Sequence, residues 1–369
     1  MKVKSVLSAG VLLFAIFFTA KTEAQTITTP RVASPAAEVS QTVGISKVTI
    51  NYSRPSVKGR EIWGKLVPYG FNNLGFGTSK AAPWRAGANE NTIITFSHDA
   101  KIDGKEVPAG SYGYHVAVME NGEATIILSK NYSSWGSFFY DEKEDLLRVN
   151  VTTEEIPMTE TLTFDFLQNS KNSTIAVLDW DKKRFPMTIS FDTDDIVLAN
   201  AKDQLRGVTG FGWQGPLSAA NYCMQNNINH EQALKWVDKS IKANKNFQNV
   251  FVKASLLQQT GEKGNGMVMM DEAAQLANIG QLNFLGYQML MKHKNYDKAI
   301  EYFKLNVKNN PEDANVYDSL GEAYKVSGQN KLAIKSLKKS LSLDPPANVK
   351  ANSIKLLKEL GVEDYAGTD

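Results

Sequence analysis

Cysteine is nearly absent from this chain of 369 residues, which has one, Cys223. A single thiol cannot form a disulfide within the chain, so a scaffold held together by internal disulfides is excluded. Cys223 lies in a helical, apolar stretch, where a lone cysteine is usually a small buried side chain, and we assign it no chemistry. The sequence also lacks a His-Glu-x-x-His zinc motif and a Gly-x-Ser-x-Gly nucleophile motif. The common signatures of zinc proteases and serine hydrolases are therefore missing.

An excess of charge of either sign is missing too. The sequence has 41 basic and 39 acidic residues, and 38 of each remain once Lys2, Lys4, Lys21 and Glu23 are removed. Such a chain is a poor candidate for general binding to nucleic acid or to anionic membranes. The distribution is uneven, because residues 25–89 carry 8 basic and 2 acidic side chains. Either this segment neutralises the acidic remainder of its domain, or it forms a positive site for an anion.

Long hydrophobic runs are missing except near the start of the chain. Lys2 and Lys4 precede an apolar run over residues 6–20, and small residues follow it. This pattern is typical of a secretory signal and is short for a membrane span. We predict a signal peptide over residues 1–24, with an uncleaved anchor as the alternative. No cysteine follows Ala24 for lipid attachment, so we expect a periplasmic or secreted mature chain without a transmembrane segment.

Residues 43–195 are predicted to form short strands. Eight segments are rich in β-branched and aromatic residues, and several alternate apolar with polar side chains. They lie at residues 47–52, 91–97, 111–119, 124–130, 146–153, 160–166, 173–180 and 185–191. Asp103-Gly104 and Asn121-Gly122 are dipeptides that tight hairpins prefer. We predict an antiparallel β-sandwich or jelly-roll-like domain, with a closed barrel as the alternative, preceded by an N-terminal extension over residues 25–42.

The periodicity becomes helical from residue 214, after a predicted linker over residues 196–213. Small residues recur at spacings of 33 or 34, each followed four positions later by a larger apolar residue. The small residues are Ala233, Gly266, Ala299 and Ala333. This period resembles the tetratricopeptide repeat, a helix–turn–helix unit, and predicts four repeats over residues 214–346. A capping helix over residues 347–361 and a tail over residues 362–369 complete the predicted α-solenoid.

The fold class is thus α+β in separate domains. A helical array of this kind usually presents a concave face, on which we expect a protein or peptide partner. Repeats define a shape and do not identify the partner. In the third repeat, Tyr287 occupies a position where a small residue normally lets the two helices approach, which puts the packing of that pair in question.

One connection in the β domain, residues 53–90, is far longer than usual and is rich in glycine, proline, arginine and aromatic residues. Its aromatic side chains give it apolar area to bury, so we predict an ordered cover over the sandwich. We expect Arg60 and Arg85 each to bond a backbone carbonyl or a carboxylate, and Trp63 or Trp84 to be largely buried. The alternative is a pocket for an anionic or carbohydrate ligand. The candidate ligand-binding residues are Arg54, Arg60, Trp63, Trp84, Arg85, Asn89 and Glu90.

Other candidate chemistry is weaker. His98 and His115 lie in neighbouring predicted strands and form a weak candidate metal site with a carboxylate, although their spacing is no recognised ligand pattern. The acidic run 141–145 offers either paired carboxylates for glycoside hydrolysis or a solvated loop. The Gly75-to-Lys80 stretch lacks the order and the following helix of a phosphate-binding loop. We therefore predict no cofactor and name no catalytic residue.

Several strings in the β domain resemble the domain-of-unknown-function family 2911. They include YSRPSVKGREIWGKLVPYG, FGTSKAAPWRAGANENTIITFSHD, PAGSYGYH and SSWGSFFYDEKEDLLRV, and the resemblance covers about residues 34–190. It implies a β-rich domain of an exported bacterial protein, commonly followed by tetratricopeptide repeats, and it transfers no catalytic residue. The strand near Ala124 lacks the tryptophan usual there, which weakens a role for an aromatic side chain at that place.

These features predict an exported cell-envelope protein that binds and scaffolds. Its β domain binds a ligand or partner, and its repeats mediate protein–protein interaction. The alternative is an envelope hydrolase that acts on carbohydrate, with residues 53–90 forming one wall of the active site. Enzymatic activity is left open, with a binding role favoured.

Overall fold

The computed structural model describes residues 29–31 and 33–363, and the chain divides after Thr193 into two compact units. We call them the β domain and the helical domain. The predicted signal peptide and the last six residues of the predicted tail lie outside the described residues. Within the described part of the chain, no helix has the length and apolar character needed to cross a membrane.

Over its described residues, the β domain contains ten strands, all paired antiparallel. The strands are β1 (Ala36–Val43), β2 (Ser46–Ser53), β3 (Thr92–Phe96), β4 (Ala100–Ile102), β5 (Lys105–Val107), β6 (Gly110–Val118), β7 (Glu123–Ser129), β8 (Asp145–Thr152), β9 (Glu154–Leu167) and β10 (Ser173–Ser190). They form a six-stranded sheet in the order β1-β2-β3-β6-β7-β8 and a four-stranded sheet in the order β5-β4-β10-β9.

Aromatic side chains join the inner faces of the two sheets. Tyr52 of β2 and Tyr114 of β6 both place their rings edge-on to Phe164 of β9, with centroids 4.9 and 5.4 Å apart. Alternate residues of β2 and β3 are buried, among them the paired Ile50 and Ile94. A half-buried strand places alternate side chains on one face, which explains the alternation read from the sequence. The predicted antiparallel sandwich is confirmed.

Two parts of the β domain differ from the sequence prediction. Strand β1 begins at Ala36, inside the predicted N-terminal extension, and only its last residue, Val43, is fully buried. An edge strand with so little buried surface leaves a weak apolar pattern. The segments predicted as strands 173–180 and 185–191 form one long strand, β10, which shifts register on both sides of Asp181. Asp181 has φ +52°, so the strand bends there and continues rather than ending.

Up to residue 363, the last one described, the helical domain contains α1 (Thr193–Gln204), followed by four helix pairs and a final helix. The pairs are α2 (Gln214–Asn226) with α3 (His230–Ala243), α4 (Phe247–Gln259) with α5 (Lys263–Leu276), α6 (Ile279–Tyr287) with α7 (Tyr296–Asn309), and α8 (Ala314–Val326) with α9 (Asn330–Leu341). The final helix is α10 (Ala347–Glu359), whose Leu356 and Leu357 pack on Leu337 of α9. The four pairs coincide with the four predicted repeats.

Helix α1 occupies most of the segment predicted as a linker. Its Leu198 joins the apolar cluster formed by Ala220, Trp236 and their neighbours in the first repeat. Much of α1 is polar, and its amphipathic pattern is weak, so sequence periodicity did not identify it. The boundary between the two domains therefore falls at Thr193, with no separate linker of the predicted length.

The two helices of the third repeat pack closely although Tyr287 stands where a small residue was expected. The close approach is provided one residue earlier by Gly286, where an added Cβ would lie 2.5 Å from the buried ring of Phe303. A π-helical turn over Gln288–Lys292 follows α6. Such a turn accommodates one extra residue, consistent with the shift. Tyr287 instead donates its hydroxyl to Glu322 of the next repeat at 2.7 Å.

Candidate functional site

Residues 53–90, which we call the cover loop, are attached to both sheets by backbone hydrogen bonds. Val57 N donates to Glu160 O of β9, while Trp84 and Val116 of β6 exchange two bonds of 2.8 and 2.9 Å. Gly70 N also donates to the last residue of β6, at 2.8 Å. Beyond the first residue of β3, Thr92, the cover loop thus takes the place of a neighbouring strand beside β6. The ordered cover predicted from its aromatic content is present.

Two arginines of the cover loop bond to protein groups. Arg54 donates through Nε to Leu162 O at 2.9 Å and through Nη2 to Thr163 Oγ1 at 2.7 Å, which fastens the loop to β9. Arg60 donates to the carbonyls of Ser56 and Val57, which lie four and three residues before it. The carbonyl contact expected of Arg60 is therefore present, and both side chains hold the loop.

Asn89 and Glu90 face the N-terminal segment of the chain. Glu90 forms an ion pair with Arg31 at 2.5 Å and also accepts a hydrogen bond from Ser53 Oγ at 3.3 Å. The hydrogen bond from Arg31 is the main cause that lowers the pKa of Glu90. Asn89 has φ +62° and donates to Ser34 O at 3.4 Å. These two candidates therefore close the end of the cover loop.

The two tryptophans of the cover loop pack on a third that the sequence analysis did not single out. Trp84 stacks on Trp180 of β10 with centroids 5.6 Å apart, and Trp63 meets both rings edge-on. Trp180 is 1% exposed, whereas Trp63 and Trp84 are partly buried. Trp84 Nε1 donates to Gly87 O at 3.2 Å. This aromatic cluster supports the cover loop from beneath, and Trp84 retains an accessible part.

A cleft of about 140 Å³ opens beside Trp84. Eight of its lining residues come from the cover loop and one from the β7–β8 connection. They are Leu66, Pro68, Asn72, Leu74, Ala82, Pro83, Trp84, Arg85 and Ser137. Of the seven candidates from the sequence, the structure brings only Trp84 and Arg85 into this cleft.

Arg85 differs from the other arginines of the cover loop. It donates one hydrogen bond, from Nη1 to Asn89 O at 2.5 Å, and its guanidinium lies 4.9 Å from the centroid of the Phe138 ring. No described carboxylate lies within ion-pair distance of it, and burial lowers its pKa. A side chain at Gly136 would overlap the guanidinium as it is placed, so a substitution there would displace Arg85, and the φ of +61° at this position also favours glycine. The expected carbonyl contact of Arg85 is present, yet it leaves most of the donors of the side chain unused.

Beneath the cleft, His115 and Ser137 form a buried polar pair. His115 Nδ1 lies 3.0 Å from Ser137 Oγ, and the imidazole meets the ring of Tyr140 edge-on with centroids 5.5 Å apart. Burial, and secondarily the charge of Arg85, lowers the pKa of His115 to about 4. The imidazole is therefore neutral at pH 7, and it holds Ser137 in the wall of the cleft.

The candidate metal site is wrong. The register of β3 with β6 pairs Thr92 with Tyr114 and Phe96 with Gly110, so His115 lies beside residue 91. His98 is then about seven residues away along the strand, or roughly 20 Å. His98 Nδ1 instead lies 3.0 Å from Ser97 Oγ. Among the described residues, no three His, Cys, Asp or Glu side chains are grouped for a metal ion.

The acidic run 141–145 is partly structural. Asp141 accepts a hydrogen bond from Lys143 N at the start of a short 3-10 helix. Asp145 accepts from Tyr140 Oη at 2.8 Å and from Arg148 Nε at 2.6 Å, and burial raises its pKa. None of these carboxylates lines the cleft.

Comparisons with known sequences agree with this architecture. Residues 34–189 match the family described as Protein of unknown function (DUF2911). This match covers most of the β domain and less than half of the whole chain. Residues 314–346, the fourth helix pair, match the tetratricopeptide repeat. The predicted resemblance and its order along the chain are confirmed. A search of curated proteins found no match.

The solved structures similar to part of this chain include two of MamA and one of YrrB. A crystal structure of MamA is 20% identical, covers 43% of this chain and 91% of its own, and has a TM-score of 0.31. MamA from Desulfovibrio magneticus RS-1 is 18% identical, with coverages of 44% and 99% and a TM-score of 0.28. YrrB, described as a TPR protein with an unusual peptide-binding site, is 15% identical, with coverages of 44% and 86% and a TM-score of 0.30.

The first helices of the tetratricopeptide repeats expose apolar side chains. Phe251 of α4 meets Phe284 of α6 edge-on, with ring centroids 5.4 Å apart. Phe284 is 43% exposed, and Met291, in the π-helical turn that follows α6, is 55% exposed. Neighbouring exposed apolar side chains are a common feature of protein-binding surfaces. The helical domain is a scaffold of the protein-interaction type.

Proposed function

We propose that this protein is an exported binding and scaffold protein of the bacterial cell envelope. Its β domain binds a ligand in the cleft beside the cover loop, and its repeats bind a protein or peptide on the face formed by the first helices. Export is supported by the signal-like pattern over residues 1–24, which leaves a periplasmic or secreted mature chain.

The observation that carries the scaffold role is the exposed Phe284, whose ring packs edge-on to Phe251 of the preceding repeat. Covering an exposed apolar side chain with a partner is favourable in free energy. Adjacent apolar side chains enlarge the area that the partner can bury. Aromatic residues at the centre of such a surface often contribute most of the binding energy. A partner that covers this face is therefore expected to depend on Phe284.

The test is capture from an envelope extract with the mature chain as bait. Phe284→Ala is expected to lose the captured partner. Leu332→Ala is the matched control, because Leu332 is also 43% exposed but lies on a second helix, α9. Equal capture by both variants and the unmutated chain would contradict binding at the Phe284 face.

The alternative of a carbohydrate hydrolase has less support. Glycoside hydrolysis normally needs two carboxyl groups on either side of the scissile bond. Neither Asp nor Glu occurs among the described residues that line the cleft. The arrangement favours binding over hydrolysis of this kind.

A further inference from the structure

We infer that the cleft of the β domain binds a small organic monoanion, a carboxylate on an apolar body, with Arg85 as the residue that recognises the acid group. This inference rests on the proposed ligand-binding role of the cleft and names the chemical class of the ligand. It depends on three features of the cleft: an unpaired cation, a second polar group, and an apolar wall.

The unpaired cation is Arg85. A guanidinium carries five N–H donors and stays charged at neutral pH, yet Arg85 spends one described bond on the carbonyl of Asn89. No described carboxylate pairs with it, although it is half-buried. The ring of Phe138 and the carbonyl of Asn89 satisfy this charge only in part, so an anionic group that enters the cleft gains a charge-assisted bond. The planar fork of arginine matches the two oxygens of a carboxylate.

Arg54 and Arg60 provide the internal comparison. Both belong to the cover loop, and each spends two donors on protein groups. Neither lines the cleft. Arg85 is the single basic side chain among the described residues of the lining, which favours a ligand with one negative charge over a dianion such as a phosphate ester.

The second polar group is the hydroxyl of Ser137. Ser137 lines the cleft but is 1% exposed, and its Oγ lies 3.0 Å from His115 Nδ1. In the tautomer that carries its proton on Nδ1, His115 donates to Ser137 Oγ, and the hydroxyl hydrogen is free to bond an oxygen of the ligand. Arg85 and Ser137 then offer donors of two kinds to one acid group.

The remaining wall is mostly apolar. Leu66, Pro68, Leu74, Pro83 and Trp84 face the same cleft, whose volume is about 140 Å³. A cleft of this size has room for a compact group such as a single ring. A single ring that carries one carboxylate combines the charge that Arg85 needs with the apolar surface that this wall can bury.

Benzoate is the probe, and benzamide is its neutral analogue of nearly the same shape. Calorimetric titration of the mature chain is expected to show benzoate binding at least 10-fold tighter than benzamide. Arg85→Gln is expected to remove that difference. Arg60→Gln makes the same change of charge on an exposed part of the cover loop and is expected to bind benzoate as the unmutated chain does.

Leu74→Asp is a second variant for the case in which Arg85→Gln fails to fold. Leu74 is exposed in the cleft wall, so a carboxylate there is expected to repel benzoate and weaken its binding at least 10-fold. The melting temperature of the domain is expected to stay the same. Phenyl phosphate is expected to bind no better than benzoate. Tighter binding of phenyl phosphate than of benzoate would overturn the choice of a monoanion. Benzoate binding that neither Arg85→Gln nor Leu74→Asp affects would overturn the assignment of the binding site to this cleft.

Two outcomes separate this inference from the proposed function. Equal binding of benzoate and benzamide, lost in both cleft variants, would retain a ligand-binding cleft and overturn recognition of an acid. No binding of any probe would overturn the inference and the ligand-binding part of the proposal. Capture of a partner through Phe284 is measured independently of either result.

Discussion

The buried imidazole of His115 predicts that the β domain loses stability in mild acid. Its pKa in the folded chain is about 4, lowered mainly by burial, whereas an unfolded chain exposes a histidine with an ordinary pKa of about 6.5. The unfolded state therefore binds the proton first as pH falls. Stability is fully present above about pH 6.5 and is lost progressively as pH falls toward about 4.

The magnitude follows from the separation of the two pKa values. At pH 4.5 the histidine of the unfolded chain is almost fully protonated, while His115 in the folded chain is mostly neutral. Each pKa unit corresponds to about 1.4 kcal/mol, so the expected loss between pH 7 and pH 4.5 is roughly 2–3 kcal/mol. That amount is a large fraction of the stability of an ordinary domain.

The assay is urea unfolding of the mature chain, followed by tryptophan fluorescence at several pH values. The comparison variant is His115→Asn, because asparagine can still bond Ser137 Oγ but does not titrate. Carboxylates titrate in both proteins, so the difference between their pH profiles isolates the histidine. His115→Asn is expected to lose roughly 2–3 kcal/mol less than the unmutated chain over this pH range.

The variant can be less stable at every pH without affecting the reasoning, because the cavity and packing differences do not depend on pH. Only the change of the free energy of unfolding with pH is informative. If both proteins lose stability in parallel between pH 6.5 and pH 4.5, the imidazole is not buried in a neutral form. The role of His115 as an uncharged support for Ser137 would then be refuted.

Three further outcomes are expected. Gly286→Ala should lower the stability of the helical domain by about 1–3 kcal/mol, measured by urea unfolding followed by circular dichroism. Gly264→Ala is the control and should not lower it, because no atom lies within 4 Å of the added Cβ. Equal effects of the two variants would contradict the shifted packing of the third repeat. Arg54→Ala should destabilise the β domain by roughly 1–3 kcal/mol, because Arg54 bonds β9, and Arg60→Ala by less than about 1 kcal/mol. A larger loss of unfolding free energy for Arg60→Ala in urea would count against the attachment of the loop to β9. Cys223 is buried with a raised pKa, so a thiol reagent should modify it slowly until urea is added, and rapid reaction of the folded chain would oppose this burial.

Local sequence signals were sufficient for much of the architecture. Alternating apolar residues identified most strands, since one buried face imposes a period of two on each of them. The spacing of Ala233, Gly266, Ala299 and Ala333 identified the repeats, because each is a small residue buried in the second helix of its pair. Where the buried face is small or weakly patterned, as in β1 and α1, the same reasoning predicted an extension and a linker instead.

The composition of the cleft in the β domain could not be predicted from local sequence, because it depends on contacts between distant parts of the chain. Arg60 and Arg85 are the same residue type in the same loop, and no local feature tells which one bonds its own loop and which one lines a cleft. Strand register decided that His98 and His115 lie far apart, and one residue of helical shift moved the close packing from Tyr287 to Gly286. Composition and periodicity by themselves determined the two domains, the repeats and an ordered cover loop, because these follow from burial along each segment. Which cation is left unpaired was decided by the tertiary structure alone, because it depends on the partners that folding brings to each side chain.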